Sequence, residues 1–186
     1  MNSIIKEYFD KTTEIISKIN HSEIEEVAIE LKKIRESKNQ IFIFGNGGSA
    51  STAEHMAIDI SFNTGFIRPK LKTTCLSSNS SAITATGNDL DFESIFSRQL
   101  EILAEEKDLI IMISASGNSK NLIRASECAR NLGLRQIALL GFDGGKLLKM
   151  VDKSIHVKTP IGSYGITEDL HLAINHILVE CLKSGT

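Results

Sequence analysis

The chain has 186 residues, enough for one domain with its own buried core and too few for two of ordinary size. Hydrophobic residues make up 41% and charged residues 24%, which excludes a disordered or fibrous chain. Twenty-one Lys and Arg against 23 Asp and Glu leave a formal charge of -2, excluding the broad basic surface of a non-specific nucleic-acid binder.

Apolar residues Ile4, Ile5, Phe9, Ile15, Ile16 and Ile19 recur at helical spacing, and Ile24, Val27, Ala28, Leu31 and Ile34 repeat the pattern. Two helices are therefore predicted within residues 1–37, the second starting at a Ser22–Glu25 capping box. The N-terminal segment is too acidic and polar for a signal peptide, and no stretch of 18 apolar residues could span a bilayer. The expected location is cytoplasmic. Cys75, Cys128 and Cys181 are widely spaced and odd in number, so they read as reduced filler rather than a disulfide framework or metal site.

Beyond the helices the period changes. Short β-rich runs fall at 41–44, 72–76, 109–113, 136–140 and 154–158, separated by helical stretches. Alternating strands and helices predict a single α/β domain, doubly wound, with about five parallel strands and helices on both faces. Several runs are apolar at nearly every position, as suits strands covered on both sides. In such a sheet, ligands gather where strands end and helices begin.

The first strand leads into Gly45-Asn46-Gly47-Gly48-Ser49-Ala50-Ser51, then a helix with Ala53, Met56, Ala57 and Ile60 facing inward. Glycines bring backbone amides close to a ligand, and a helix N-terminus offers free N–H groups, so the loop suits a phosphate. It is neither a dinucleotide fingerprint nor a Walker A loop. The third strand ends in Ser114-Ala115-Ser116-Gly117-Asn118-Ser119, where three hydroxyls beside helix amides could surround phosphate oxygens. Gly141–Lys146 follows a similar plan, but Asp143 would repel an anion, so that loop reads as structural. Asn88 and Asp89 follow Gly87, read as a helix-ending residue, and suit either sugar hydroxyls or a plain turn.

His55 and Asp59 stand four apart on the helix after the glycine loop and so share a face. Such a pair can ligate a metal, share proton transfer or merely sit on a surface. The last helical stretch carries Glu168, Asp169, His171 and His176 among apolar residues, with His171 read as a boundary residue.

The runs GNGGSASTAEHMAID, AITATGNDLDFESIFSRQLE, ISASGNS, GFDGGKL and EDLHLAINHILVE, in that order, resemble the sugar isomerase (SIS) family and, more narrowly, its phosphoheptose isomerases. The resemblance runs from about residue 4 to 183. It implies aldose–ketose isomerisation of sedoheptulose 7-phosphate to D-glycero-D-manno-heptose 7-phosphate for surface heptose in lipopolysaccharide or capsule. It also implies a homotetramer with sites at subunit interfaces and a bound zinc, with residues 1–37 used in oligomer packing.

By position, the substrate-binding set is Asn46, Gly47, Gly48, Asp59, Asn88, Asp89, Ser114, Ala115, Ser116, Ser119 and Glu168. The catalytic set is Asp59, Glu168 and His176, and the metal set is His55, Asp59, Glu168 and His176. The family usually has Glu at 59, Gln at 168 and Thr at 115, and often Arg at 63, where this chain has Asp, Glu, Ala and Asn. Eight residues of continuous helix rise about 12 Å, so Glu168 and His176 meet one ion only if the helix starts after Glu168 or the two come from different subunits. The alternatives are an isomerase of another ketose phosphate, or a non-catalytic member that senses a sugar phosphate or assists replication initiation. The ionisable cluster favours an enzyme.

Overall fold

The computed structural model describes residues 1–184. Helices α1 (Asn2–Ile16) and α2 (His21–Ser37) precede strands β1 (Gln40–Gly45), β2 (Lys72–Cys75), β3 (Leu109–Ser114), β4 (Arg135–Leu140) and β5 (Lys153–His156). Helix α3 (Gly48–Ile58) runs into a π-helical turn at Asp59–Asn63 before β2. Helices α4 (Ser80–Asp89) and α5 (Ser97–Leu103) precede β3, α6 (Lys120–Asn131) precedes β4, and α7 (Tyr164–Lys183) follows β5. Each strand lies within two residues of its expected bounds.

The strands form one all-parallel sheet in the order β2-β1-β3-β4-β5. Side chains alternate between its faces, and both faces are apolar. Ile41 and Ile43 enter a cluster with Leu31, Met56, Ile174 and Leu178, contributed by α2, α3 and α7. Phe42 and Phe44 point the other way, into a cluster with Phe96, Leu100, Leu122 and Ala125 from α5, α6 and the segment before α5. A fully buried side chain of this size stabilises the fold by roughly 1.5–3 kcal/mol, so the doubly covered strands anchor the domain. The chain leaves β1 toward β2 on one side and returns to β3 on the other. This reversal opens a crevice at the C-terminal ends of β1 and β3.

Three local expectations are corrected, and one open alternative is closed. Asn20, not Ser22, caps α2: its side chain accepts from Ser22 N at 3.1 Å and donates to Glu23 Oε1 at 3.2 Å. Asn20 has the extended backbone a cap needs, and Glu23 then occupies the third helical position. Gly87 does not end its helix; α4 continues through Asn88 and Asp89 and stops at Leu90. His171 is not a boundary residue but is fully buried on the inner face of α7. Finally, α7 starts at Tyr164, so Glu168 already lies inside a continuous helix.

The three cysteines are free and half-buried, and burial pushes the Cys75 and Cys128 thiols up, consistent with filler. No helix among the described residues is long and apolar enough to cross a membrane.

Candidate functional site

The crevice at the sheet's switch point is built by two strand-to-helix loops. After β1, Gly45 lets the chain pass where a Cβ would lie 2.7 Å from the Ile113 carbonyl and 2.8 Å from that of Ser49. Ser77 Oγ fastens this turn by accepting from Gly45 N at 3.1 Å and donating to Gly45 O at 2.9 Å. Gly47 stands at the N-cap of α3 with φ 54° and no side-chain cap, so the first amides of α3 are left for a ligand.

After β3, Ser114 Oγ accepts from Gly117 N at 3.0 Å and Ser116 Oγ from Asn118 N at 3.3 Å, curling the loop back on itself. Ser119 occupies the N-cap of α6 but its hydroxyl makes no capping bond, so capping does not account for it. The Gly141–Lys146 segment supports this loop from behind. Lys146 N donates to Asn118 Oδ1 at 3.1 Å, and a Cβ on Gly145 would meet Ser116 O at 2.3 Å.

The loops are tied by a reciprocal amide pair. Asn46 Nδ2 donates to Asn121 Oδ1 and Asn121 Nδ2 to Asn46 Oδ1, both at 2.9 Å. Between them lies a cavity of about 160 Å³ lined by Asn46, Ser49, Ser114, Ser116, Ser119 and Glu168, with Ala115 and Tyr164 also at its wall. Ser114, Ser116 and Ser119 on the β3 loop, with the uncapped end of α6, suit a phosphate monoester, while the one carboxylate at the wall, Glu168, stands across the cavity over Gly48.

A second group lies farther along α3 and α7. His55 Nε2 is 3.2 Å from Asp59 Oδ2, His176 Nε2 is 3.7 Å from the same oxygen, and the two Nε2 atoms are 3.5 Å apart. The imidazoles meet edge to face with centroids 5.2 Å apart. Asp59 is only 9% exposed, while both histidines open to solvent. Tetrahedral ligands at 2.0–2.2 Å from a zinc ion lie roughly 3.3 Å apart, close to all three spacings. Two imidazole nitrogens and a carboxylate oxygen are also zinc's ordinary donors, so the group is a possible metal centre.

Not every expected residue converges. Glu168 stands over Gly48 at the cavity, about two helical turns from His176, and is outside the His55–Asp59–His176 group. Asn88 and Asp89 are exposed on the last turn of α4, with Asn88 Nδ2 donating to Asp89 Oδ1 at 2.7 Å, and do not line the cavity. Gly47 is exposed at the head of α3. The sequence reading passed over Asn121, Tyr164 and Asn175. A polar Asn on the buried stripe of α7, between Ile174 and His176, was the available signal for the last.

With this geometry in place, comparison with known proteins is decisive. A family model described as SIS domain matches residues 7–141. The chain belongs to the SIS-domain family, in its phosphoheptose isomerase branch. A phosphoheptose isomerase of Sulfurimonas denitrificans is 37% identical over 188 residues, covering 98% of this chain and 95% of that protein. One from Trichlorobacter lovleyi is 43% identical over 164 residues, covering 88% and 81%. The structure of phosphoheptose isomerase GmhA from Neisseria gonorrhoeae superposes with a TM-score of 0.90 at 30% identity, covering 98% of both chains. The SIS-domain sheet, crevice and C-terminal helix described above thus fall within the aligned regions.

Proposed function

We propose that this chain is a phosphoheptose isomerase, converting sedoheptulose 7-phosphate to D-glycero-D-manno-heptose 7-phosphate by aldose–ketose isomerisation, for surface heptose synthesis. The observation that carries the reading is a buried carboxylate at the end of α3, the helix whose N-terminus helps build the hydroxyl-lined crevice, facing His55 of that helix and His176 of α7. The names of the relatives supply the substrate.

The phosphate sits on Ser114, Ser116 and Ser119 and the open end of α6, and binding energy from this remote group orients the reacting carbons. Glu168 and Asn46 face the sugar hydroxyls. Isomerisation needs a base that moves a proton between adjacent carbons and a group that handles the neighbouring oxygens. Asp59 carries the proton and His176 serves the oxygens, because Asp59 alone of the two candidate carboxylates lies beside imidazole partners.

Zinc held by His55, Asp59 and His176 would supply a Lewis acid for the developing enediolate oxygen. The two oxygens of Asp59 divide the work: Oδ2 faces both imidazoles, whereas Oδ1 lies toward exposed Asn63 and is the proton-carrying atom.

A homotetramer is part of the same reading. Helix α1 buries no side chain and exposes Ile4, Ile5 and Phe9, an apolar surface suited to packing on another copy. Removal of residues 1–16 should lower the assembly's mass in light scattering.

Incubation of the purified chain with sedoheptulose 7-phosphate should yield the aldose, with a chelator lowering the rate and zinc restoring it. Asp59→Asn should abolish turnover while sugar-phosphate binding persists. Aldose formation from none of a panel of ketose phosphates, with binding intact, would leave a non-catalytic sugar-phosphate binder.

A further inference from the structure

Asp59 is held from two sides. Asn63 Nδ2 donates to its Oδ1 at 2.9 Å, and Asn175 Nδ2 donates to its Oδ2 at 2.8 Å. The donors come from different elements: Asn63 closes the π-helical turn that Asp59 opens, and Asn175 projects from α7. Asn63 is exposed, whereas Asn175 is fully buried.

Asn175 bears an unusual cost for this contact. Its Oδ1 is buried without a hydrogen-bond partner, an arrangement that typically costs about 1–3 kcal/mol. Turning the amide over would bring that oxygen to the same 2.8 Å from the Asp59 carboxylate, acceptor against acceptor. The orientation that satisfies Asp59 therefore strands the carbonyl. An apolar residue would fill this stripe of α7, among Ile174 and Leu178, at no such cost.

We propose that Asn63 and Asn175 are positioning residues that fix the plane of the Asp59 carboxylate. An unclamped Asp side chain rotates about its Cβ–Cγ bond, and that rotation would carry Oδ2 out of line with His55 and His176. With one amide on each oxygen, the plane is set before substrate arrives. The inference rests on the role given to Asp59 above, and it adds two residues that lie outside both the cavity lining and the possible metal-ligand group.

The test compares kcat, KM and Tm for Asn175→Leu, Asn63→Ala and Asn63→Asp with the parent enzyme on sedoheptulose 7-phosphate. Asn175→Leu should lower kcat by about 10–100-fold with KM little changed, the usual scale for an outer-shell partner. Its Tm should change little, since removing the stranded carbonyl offsets the donor lost to Asp59 Oδ2. An unchanged kcat, or a kcat that falls only together with Tm, overturns the proposal.

Should Asn175→Leu not fold, the exposed position decides. Asn63→Asp keeps the shape but sets a second carboxylate against Oδ1, so it should be slower than Asn63→Ala; equal or faster turnover overturns the proposal. A parent enzyme without turnover marks failure of the functional reading instead. The clamp is then read in crystal structures of the parent and Asn63→Asp. The 3.2 Å contact between Asp59 and His55 should open in the variant, and a carboxylate unmoved there overturns the proposal.

Discussion

Gly48 and Glu168 occupy the same space: a Cβ on Gly48 would lie 2.3 Å from Glu168 Oε2 and 2.5 Å from its carboxyl carbon. The absent side chain at the head of α3 is what admits the carboxylate of α7 to the cavity. Gly48→Ala should fold normally, because the group it displaces is the end of a flexible side chain and Ala favours a helix. KM for the sugar phosphate should rise several-fold in steady-state assays as Glu168 is pushed aside. A normal KM with unchanged Tm would show that Glu168 does not act from this position.

The Asn46–Asn121 pair makes a related prediction about the loops. Asn121 is 2% exposed, and its amide is what joins the β1 and β3 turns. Asn121→Leu leaves the Asn46 amide facing an apolar group, which should cost about 1–3 kcal/mol in urea denaturation. KM should rise more than kcat falls, because the cavity is distorted while the His55–Asp59–His176 group is untouched.

These relationships also mark where sequence reasoning stops. The strands were legible because Ile41 to Phe44 and Leu109 to Ile113 are apolar at every position yet too short for a buried helix, and the first of them is followed by a glycine-rich turn, as suits a doubly covered strand. His55 and Asp59 were legible because helical spacing fixes their proximity. His176 was not: nothing local brings it to a residue 121 positions away, and only family resemblance named it. Glu168 was grouped with the metal ligands by the same resemblance; within one chain the uninterrupted α7 holds it over Gly48, so meeting His176 at one ion would require a second subunit. The Ser22 cap failed because two polar residues on either side of His21 compete for the cap, and the extended backbone at Asn20 decides between them. His171 was misread because helix periodicity alone does not say how wide the buried stripe of α7 is.

Tyr8 tests how α1 is attached. Its hydroxyl donates to Asp169 Oδ2 at 2.6 Å, while α1 buries no side chain in this chain. The carboxylate beside it pushes the phenol up to about 12 from its ordinary 10. A raised folded-state value means the contact contributes fully below pH 10 and is lost as pH rises from 10 toward 12. Tyr8→Phe should therefore speed proteolytic cleavage within residues 1–20 at pH 8, and the difference from the parent should shrink above pH 10. Equal cleavage at pH 8 would mean that other contacts hold α1.

The buried His171 gives a pH dependence of opposite sign. Its ring is fully enclosed on the inner face of α7, near the Leu140 carbonyl and His156, and neither nitrogen has a hydrogen-bond partner of good geometry among the described residues. Burial pulls its pKa down to about 4 from the ordinary 6.5; the nearby His156 lowers it further, and the Leu140 carbonyl opposes the shift. The unfolded chain thus binds this proton below pH 6.5, while the folded chain refuses it until about pH 4. Stability present above pH 6.5 should fall across that window by about 3 kcal/mol and then level off. His171→Leu fills the site with an apolar group of similar size and should remove this component. Urea denaturation of both proteins at intervals from pH 7 to 4 provides the check: the parent should lose more stability than the variant, and parallel curves would mean that His171 takes up its proton as readily in the folded chain as in the unfolded one.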